Sequence, residues 1–400
     1  MSRPSNPISS IENVECQAAP IYAYQSLPGI DYIRRVIIHP GSLQQPIIIS
    51  LDTVLFSQDN YPQYEALSYK WGSEEHRELI RVDIANGQTI SVTSNLAVAL
   101  KHLRRTDKPR TMWIDAICIN QADVVEKGPQ VKMMGEIYRH AARVAVWLGP
   151  EADNSDIAMA KMEYLGSQIQ FDFAKTMRMS PAMAAMEPDM ADWKIPLHLE
   201  SKDLHAITHL LLRSWFGRLW IRQEISLASS AAIIICGHSQ VSWPVFLRGI
   251  AVILLKPRRT VCNPDPESIS LVENLDSQLL KRTRVLTSFL RSAHIHASLF
   301  ALRDTFGTSG CADPRDRIYG VLALLPDFLG KKIVPDYTKP FGDVYKETFL
   351  HCLRTTMDLS VLRECECGTG SHIPSWVPAW STNPKHTQLH NQFASSHIAA

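Results

Sequence analysis

The sequence predicts an α/β protein built on a parallel sheet flanked by helices. Two observations carry that reading. Short apolar, β-branched runs alternate with stretches at helical spacing, in the order β-α-β-α-β-α-β. The run "TMWIDAICI" is also almost continuously apolar, which suits a strand buried on both faces. Parallel strands are expected near 66–69, 111–118, 144–148 and 231–236.

Taken in order, "IRRVIIHPG" and "PIIISLDTVLF" are β-branched runs bounded by Pro and Gly and read as strands. "EALSY" is a further short strand. "RVDIANGQTISV" sets Asn86-Gly87 between alternating segments, a hairpin signal. "SNLAVALKHLRR" predicts a helix capped by Ser94 or Asn95. "QVKMMGEIYRHAA" is amphipathic, with the "KGPQ" before it read as loop, and "RVAVWLG" is the third strand of the sheet. "SWFGRLWIRQEI" reads as a helix with Phe216, Trp220 and Glu224 on one face, and "AAIIICG" as the last strand. The Met- and Ala-rich residues 151–200 interrupt the rhythm as a partly helical insertion or lid. The organisation expected is a β-rich lead-in with hairpins (1–60), an α/β core (61–255) and a mainly helical C-terminal extension (256–400).

Composition narrows the function classes. With 41 basic against 40 acidic side chains the formal net charge is +1, so no global field argues for nucleic acid. The eight cysteines show neither zinc-type pairing nor a disulfide framework, and Cys118 reads as a core thiol. "ECECGTGSH" lacks a second ligand pair, and "HIHA" reads as a solvated face, so no metal is expected. No apolar segment is long enough to span a bilayer and no signal core is evident, so a cytoplasmic protein is expected. Neither of the common phosphate-cradling glycine loops is present, and no G-x-S-x-G elbow accompanies His238 and Ser239. No cofactor is expected.

Three groups carry candidate chemistry. Glu224 is an acid on an apolar helix face, where desolvation raises a carboxyl pKa; it is read either as functional or as an ion-pair partner of Arg218 or Arg222. Asp115 falls near the end of a central strand, where ligands bind in open α/β sheets, with Asn120 and Gln121 in the next loop. These side chains bind a ligand or serve as turn and cap residues. Ser68, Tyr69, Trp71 and Gly72 end the first parallel strand and open its loop, as ligand wall or as rim packing.

The segments "YEALSYKWG", "WIDAICINQ", "QVKMMGEIYRHAARVAVWLG", "SWFGRLWIRQEI", "DPRDRIYGVLAL", "PDYTKPFGDVY" and "IPSWVPAWS" closely resemble, in order, the motif series of the fungal heterokaryon incompatibility (HET) domain and its C-terminal continuation. The resemblance implies a filamentous fungus and a role in non-self recognition ending in programmed cell death. The partner expected with it is a sensor or allelic incompatibility protein, and self-association into a homo-oligomer belongs to the non-enzymatic alternative. The series is more remotely similar to the Toll/interleukin receptor (TIR) domain, which implies a TIR-like (flavodoxin-like) sheet. "RLWIRQEI" resembles the TIR W-x-x-x-E segment, with Ile221 where many TIR helices have cysteine. By that likeness Glu224 is the catalytic acid of NAD glycohydrolysis, with NAD as substrate and Trp71 or Trp220 beside its nicotinamide. The alternative function is a non-enzymatic death or signalling module.

Overall fold

The first strands are β1 (Tyr32–Ile38), β2 (Ile48–Leu55), β3 (Glu65–Tyr69), β4 (Arg77–Val82) and β5 (Gln88–Thr93). They are followed by α1 (Ser94–Leu103), β6 (Arg110–Trp113), α2 (Asp115–Cys118), α3 (Val124–His140), β7 (Arg143–Trp147) and α4 (Ser155–Gln168). After short strands β8 (Ile169–Phe171), β9 (Met179–Pro181) and β10 (Leu197–Leu199) come α5 (Ser201–Leu212), α6 (Ile221–Ser226), β11 (Ile233–Cys236), β12 (Ser239–Ser242), α7 (Trp243–Leu255) and β13 (Arg258–Thr260). The computed structural model describes residues 19–59, 61–83, 87–172, 178–260, 277, 286–290, 297–357, 359–365, 373–378 and 380. His294, His296, Cys367, His372, Asn86 and most of 256–284 lie outside them.

Among the described residues a sheet of nine strands runs in the order β12-β11-β7-β3-β6-β1-β2-β4-β5. The four strands expected to be parallel are: β3 pairs in parallel with β6 and β7, and β7 with β11. In chain order their spatial sequence is second, first, third, fourth. The first strand therefore has its connections leaving in opposite directions, which opens a crevice beyond its carboxyl end. The hairpin around Gly87 is present as β4–β5, and Gly87 has φ +59°. The N-terminal strands extend the same sheet: β1 pairs antiparallel with β6 and with β2, and β2 pairs in parallel with β4.

Four local expectations need correction. "TMWIDAICI" is strand only to Trp113; at Ile114 the backbone turns into α2, whose Cys118 N–H donates to the Ile114 carbonyl at 2.7 Å. A short apolar run does not distinguish a buried strand from a buried helical turn. "SWFGRLWIRQEI" is not one helix: a 3₁₀ turn, Ser214–Gly217, ends in extended backbone at Arg218 before α6 begins. Phe216 is thereby uncoupled from Trp220, while Glu224 N–H still bonds to the Trp220 carbonyl at 3.3 Å. Thr93, not Ser94 or Asn95, caps α1 by accepting from Leu96 N–H. "KGPQ" lies inside α3, which begins earlier because Asp123 caps it through Val125 and Glu126.

Residues 151–200 are partly helical. α4 packs with α5 and α7 beside β11 and β12 instead of covering the sheet's carboxyl edge. A Cβ added at Gly166 would sit 1.9 Å from the Val245 carbonyl oxygen, and one at Gly249 2.7 Å from that of Met162. These glycines let the α4 and α7 backbones meet. The C-terminal segment contributes α8 (Leu299–Phe306), α9 (Asp316–Tyr319), α10 (Asp327–Gly330) and α11 (Phe341–Thr356). Among the described residues no helix is long and apolar enough to cross a membrane. Gly166→Ala should force α4 off α7 and lower stability by about 1–3 kcal/mol, the usual cost of overpacking. Thermal denaturation checks this, and an unchanged melting temperature would show that the helices separate without cost.

Candidate functional site

A cavity of about 660 Å³ opens at the carboxyl ends of β3 and β6. Its size falls in the range of small-molecule sites. One side is built by the loop after β3. Thr93 donates its hydroxyl to the Trp71 carbonyl and Asn95 its amide to that of Lys70, so the start of α1 holds the loop. Gly72, at φ +91°, turns beside Asn95. The Trp71 indole then donates to Asp115 Oδ2 at 2.8 Å, joining this loop to the first residue of α2. Gln121 donates its amide to the Asp115 carbonyl at 3.0 Å.

Beneath the cavity lies a polar cluster. Trp215 Nε1 donates to Ser68 Oγ at 2.9 Å, and Ser68 in turn donates to Glu224 Oε2 at 2.5 Å. The indole can only donate, so the hydroxyl proton is directed to the carboxylate. Glu224 is 1% exposed. Burial pushes its carboxyl up to about 7, against the opposing pull of Arg218 and the Ser68 hydrogen bond. Arg218 Nη1 stands 3.9 Å from Glu224 Oε1 and also donates to the Tyr69 carbonyl. Burial likewise raises the Asp115 carboxyl above the ordinary aspartate range.

The structure thus divides the expected site residues. Trp71, Gly72, Asp115, Gln121 and Trp220 line the cavity; Ser68, Tyr69 and Glu224 do not, being buried. Arg218 is the cavity-lining side chain that reaches Glu224. Asn120 also does not line the cavity: its Oδ1 accepts from Ala122 N–H at 3.3 Å, a turn role. Of the two arginines read as partners of Glu224, Arg222 instead donates to Ser288 Oγ at 2.8 Å and to the Phe216 carbonyl. Cys118 is buried, its Sγ accepts from Ile114 N–H at 3.3 Å, and burial pushes its thiol up to about 12, which makes it a poor nucleophile.

Sequence reasoning missed the wall supplied by the C-terminal segment. Gly310 exchanges two backbone hydrogen bonds with the loop before α6: its N–H to the Gly217 carbonyl at 2.7 Å, its carbonyl from Leu219 N–H at 2.9 Å. Beyond this clamp, Asp316 accepts from Trp220 Nε1 at 3.0 Å and from the Tyr337 hydroxyl at 2.8 Å. Burial raises its carboxyl to about 6. Lys127 and Lys70 add positive charge to the lining, and Lys127 Nζ lies 4.4 Å from the Tyr337 ring centre. The signal available was "DPRDRIYG", two acids beside an apolar run. Among the described residues no group of His, Cys, Asp and Glu is arranged to hold a metal ion.

Residues 64–224, from the Tyr before β3 to the buried acid itself, match the family model "Heterokaryon incompatibility protein (HET)". That stretch of the chain, less than half of it, is similar to the HET family. The chain is similar to heterokaryon incompatibility protein 6, OR allele, of Neurospora crassa, at 28% identity over 425 residues. That alignment takes in 93% of this chain but 62% of the relative, so the chain spans less than two thirds of that protein's length. No solved structure matches. The HET match ends at Glu224, so the Gly310 clamp and Asp316 lie beyond it.

The raised pKa of Glu224 fixes a sign. Between 4.5, its ordinary value, and about 7 the unfolded chain releases a proton that the folded chain keeps. This carboxyl therefore subtracts stability as pH rises through that window, and the loss is complete above about 7. Glu224→Gln should raise the melting temperature at pH 8, by up to roughly 3 kcal/mol of stability, and leave it unchanged at pH 4. A lower melting temperature at pH 8 would mean that the ion pair with Arg218 outweighs desolvation.

Proposed function

We propose that this chain is a HET-domain protein that acts in fungal non-self recognition by cleaving NAD at the nicotinamide–ribose bond, and that depletion of NAD kills the cell. The observation that carries the reading is a buried acid, Glu224, set under a cavity whose walls suit a dinucleotide with a cationic ring and an anionic pyrophosphate. Trp71 and Trp220 offer aromatic faces to the positively charged nicotinamide ring, and Asp115 supplies negative charge. Lys70, Lys127 and Arg218 provide partners for the pyrophosphate in place of a glycine-rich loop. The spatial order of the four parallel strands, second-first-third-fourth, agrees with the flavodoxin-like order and so supports the TIR-like reading.

In the reaction the C1′–N bond breaks, its electron pair leaves with neutral nicotinamide, and water adds at C1′ and gives up a proton. The ribose passes through an oxocarbenium-like state, as in glycoside hydrolysis. Ionised Glu224 stabilises the developing positive charge and holds ribose hydroxyls. For that contact Arg218 must leave the Tyr69 carbonyl, and the ligand's phosphates draw it in that direction. Because the ionised form works, the rate should rise with pH through about 7.

A second reading draws on a different observation. Glu224 is 1% exposed and already bonded to Ser68, as expected of a structural acid in a non-enzymatic module acting by self-association or through a partner. One experiment separates the two. Purified protein should release nicotinamide from NAD, and Glu224→Gln should cut the rate at least ~10²-fold, the scale of a lost electrostatic group. Expressed in a fungal cell, the wild type should lower NAD and arrest growth while a folded Glu224→Gln does neither. Equal toxicity of both forms with NAD unchanged would leave only the module.

A further inference from the structure

The part of the cavity that the HET match leaves out is the wall carrying Asp316. This side chain is 8% exposed and lines the cavity. Each of its oxygens accepts one hydrogen bond from a neutral donor, Trp220 Nε1 at 3.0 Å and the Tyr337 hydroxyl at 2.8 Å. A carboxylate oxygen accepts two, so acceptor capacity remains. Among the described residues no basic side chain forms an ion pair with it, whereas nearby Asp313 is paired with Arg315 at 2.6 Å. Asp115, on the core side, has the same construction: a buried carboxylate in the cavity lining, bonded to an indole N–H, Trp71 Nε1 at 2.8 Å. Arg218 and Lys127 favour the Asp115 charge and Lys127 that of Asp316, but among the described residues no salt bridge neutralises either carboxylate, so each is costly as a purely structural device. A cation arriving in the cavity would neutralise that charge.

We infer that Asp316 is a ligand-binding carboxylate of this cavity which, together with Asp115, selects a positively charged heteroaromatic ring. The inference rests on the NAD reading above and deepens it. The ring charge is what the C-terminal segment recognises, so the ligand site is incomplete in residues 64–224 alone. Trp220 then has two tasks: its ring faces the ligand and its N–H orients Asp316.

The test compares two dinucleotides that differ in ring charge. An uncleavable NAD⁺ analogue with a carbocyclic ribose carries the cationic ring, and NADH carries a neutral one of similar size. By calorimetry at pH 8 the full chain should bind the cationic form about tenfold more tightly or better, as expected for a charge pair in a partly dehydrated site. Asp316→Asn should bring the two affinities close together while NADH affinity stays near wild type, and, by the linkage that applies to Glu224, its melting temperature at pH 8 should not fall below that of the wild type. Retention of the full preference by a folded Asp316→Asn would overturn the inference. The wild type gives the same answer without a substitution. Its preference should fall as pH drops through about 6, where Asp316 takes up a proton. The charged and titratable groups around Asp316 are Asp313 (held by Arg315), Lys127, Tyr337, Cys311 and Tyr345. A preference flat from pH 8 to pH 5 would also overturn it. Equal binding of both dinucleotides by a wild type that still cleaves NAD sinks the role of Asp316 and spares the NAD reading; binding of neither sinks both.

Discussion

A single hydroxyl, Ser68 Oγ, connects the elements on which the site depends. It lies on β3, the central parallel strand, accepts from Trp215 in the 3₁₀ turn and donates to Glu224 in α6. Replacing it with an apolar group would leave an indole N–H and a carboxyl buried without that partner, each at a cost of about 1–3 kcal/mol. The geometry therefore fixes where α6 starts relative to the strand. Once α6 is fixed, Trp220 reaches the cavity and Arg218 reaches both Glu224 and the Tyr69 carbonyl. The opposite end of β3 is held by charge instead: Glu65 takes Arg110 at 2.6 Å and Arg143 at 2.7 Å, which keep its carboxyl below the usual range.

The outer elements act on the site through its loops. Arg34 of β1, 2% exposed, makes a bidentate pair with Glu126 at 2.6 and 2.8 Å. The same carboxylate accepts from Asn120 N–H at 2.8 Å, so the N-terminal strands hold the loop that carries Gln121. From the other direction, Lys132 of α3 donates to the Gly330 carbonyl at 2.5 Å, and Gly310 clamps the loop before α6. Core, N-terminal strands and C-terminal segment thus converge on one cavity edge.

How much of this was legible in the sequence follows the range of the interactions. Strands buried in a parallel sheet are written as local apolar runs, so β3, β6, β7 and β11 could be read directly. Trp71 and Asp115 could be placed because they immediately follow strand ends. The break at Gly217–Arg218 was signalled by a glycine inside a helical pattern, but the extended backbone there is imposed by Gly310, far along the chain. Asp316 and Tyr337 meet Trp220 only in the fold, and no local pattern announces that contact. The environment of Glu224 was anticipated as apolar. Arg218 was one of two arginines that spacing offered as its partner, and the choice between them, like the Ser68 hydrogen bond, is made only in the fold, since period and spacing report faces and not the rotamers that fill them.

We propose that this cavity holds NAD with its ribose at Glu224. A crystal structure of the full chain with an uncleavable NAD⁺ analogue tests it most directly. The nicotinamide ring should lie between Trp71 and Trp220, with a ribose hydroxyl within hydrogen-bond distance of Glu224 and Arg218 moved from the Tyr69 carbonyl to the pyrophosphate. An analogue bound elsewhere, or one seated in the cavity with Ser68 and Arg218 still closed over Glu224, would contradict it.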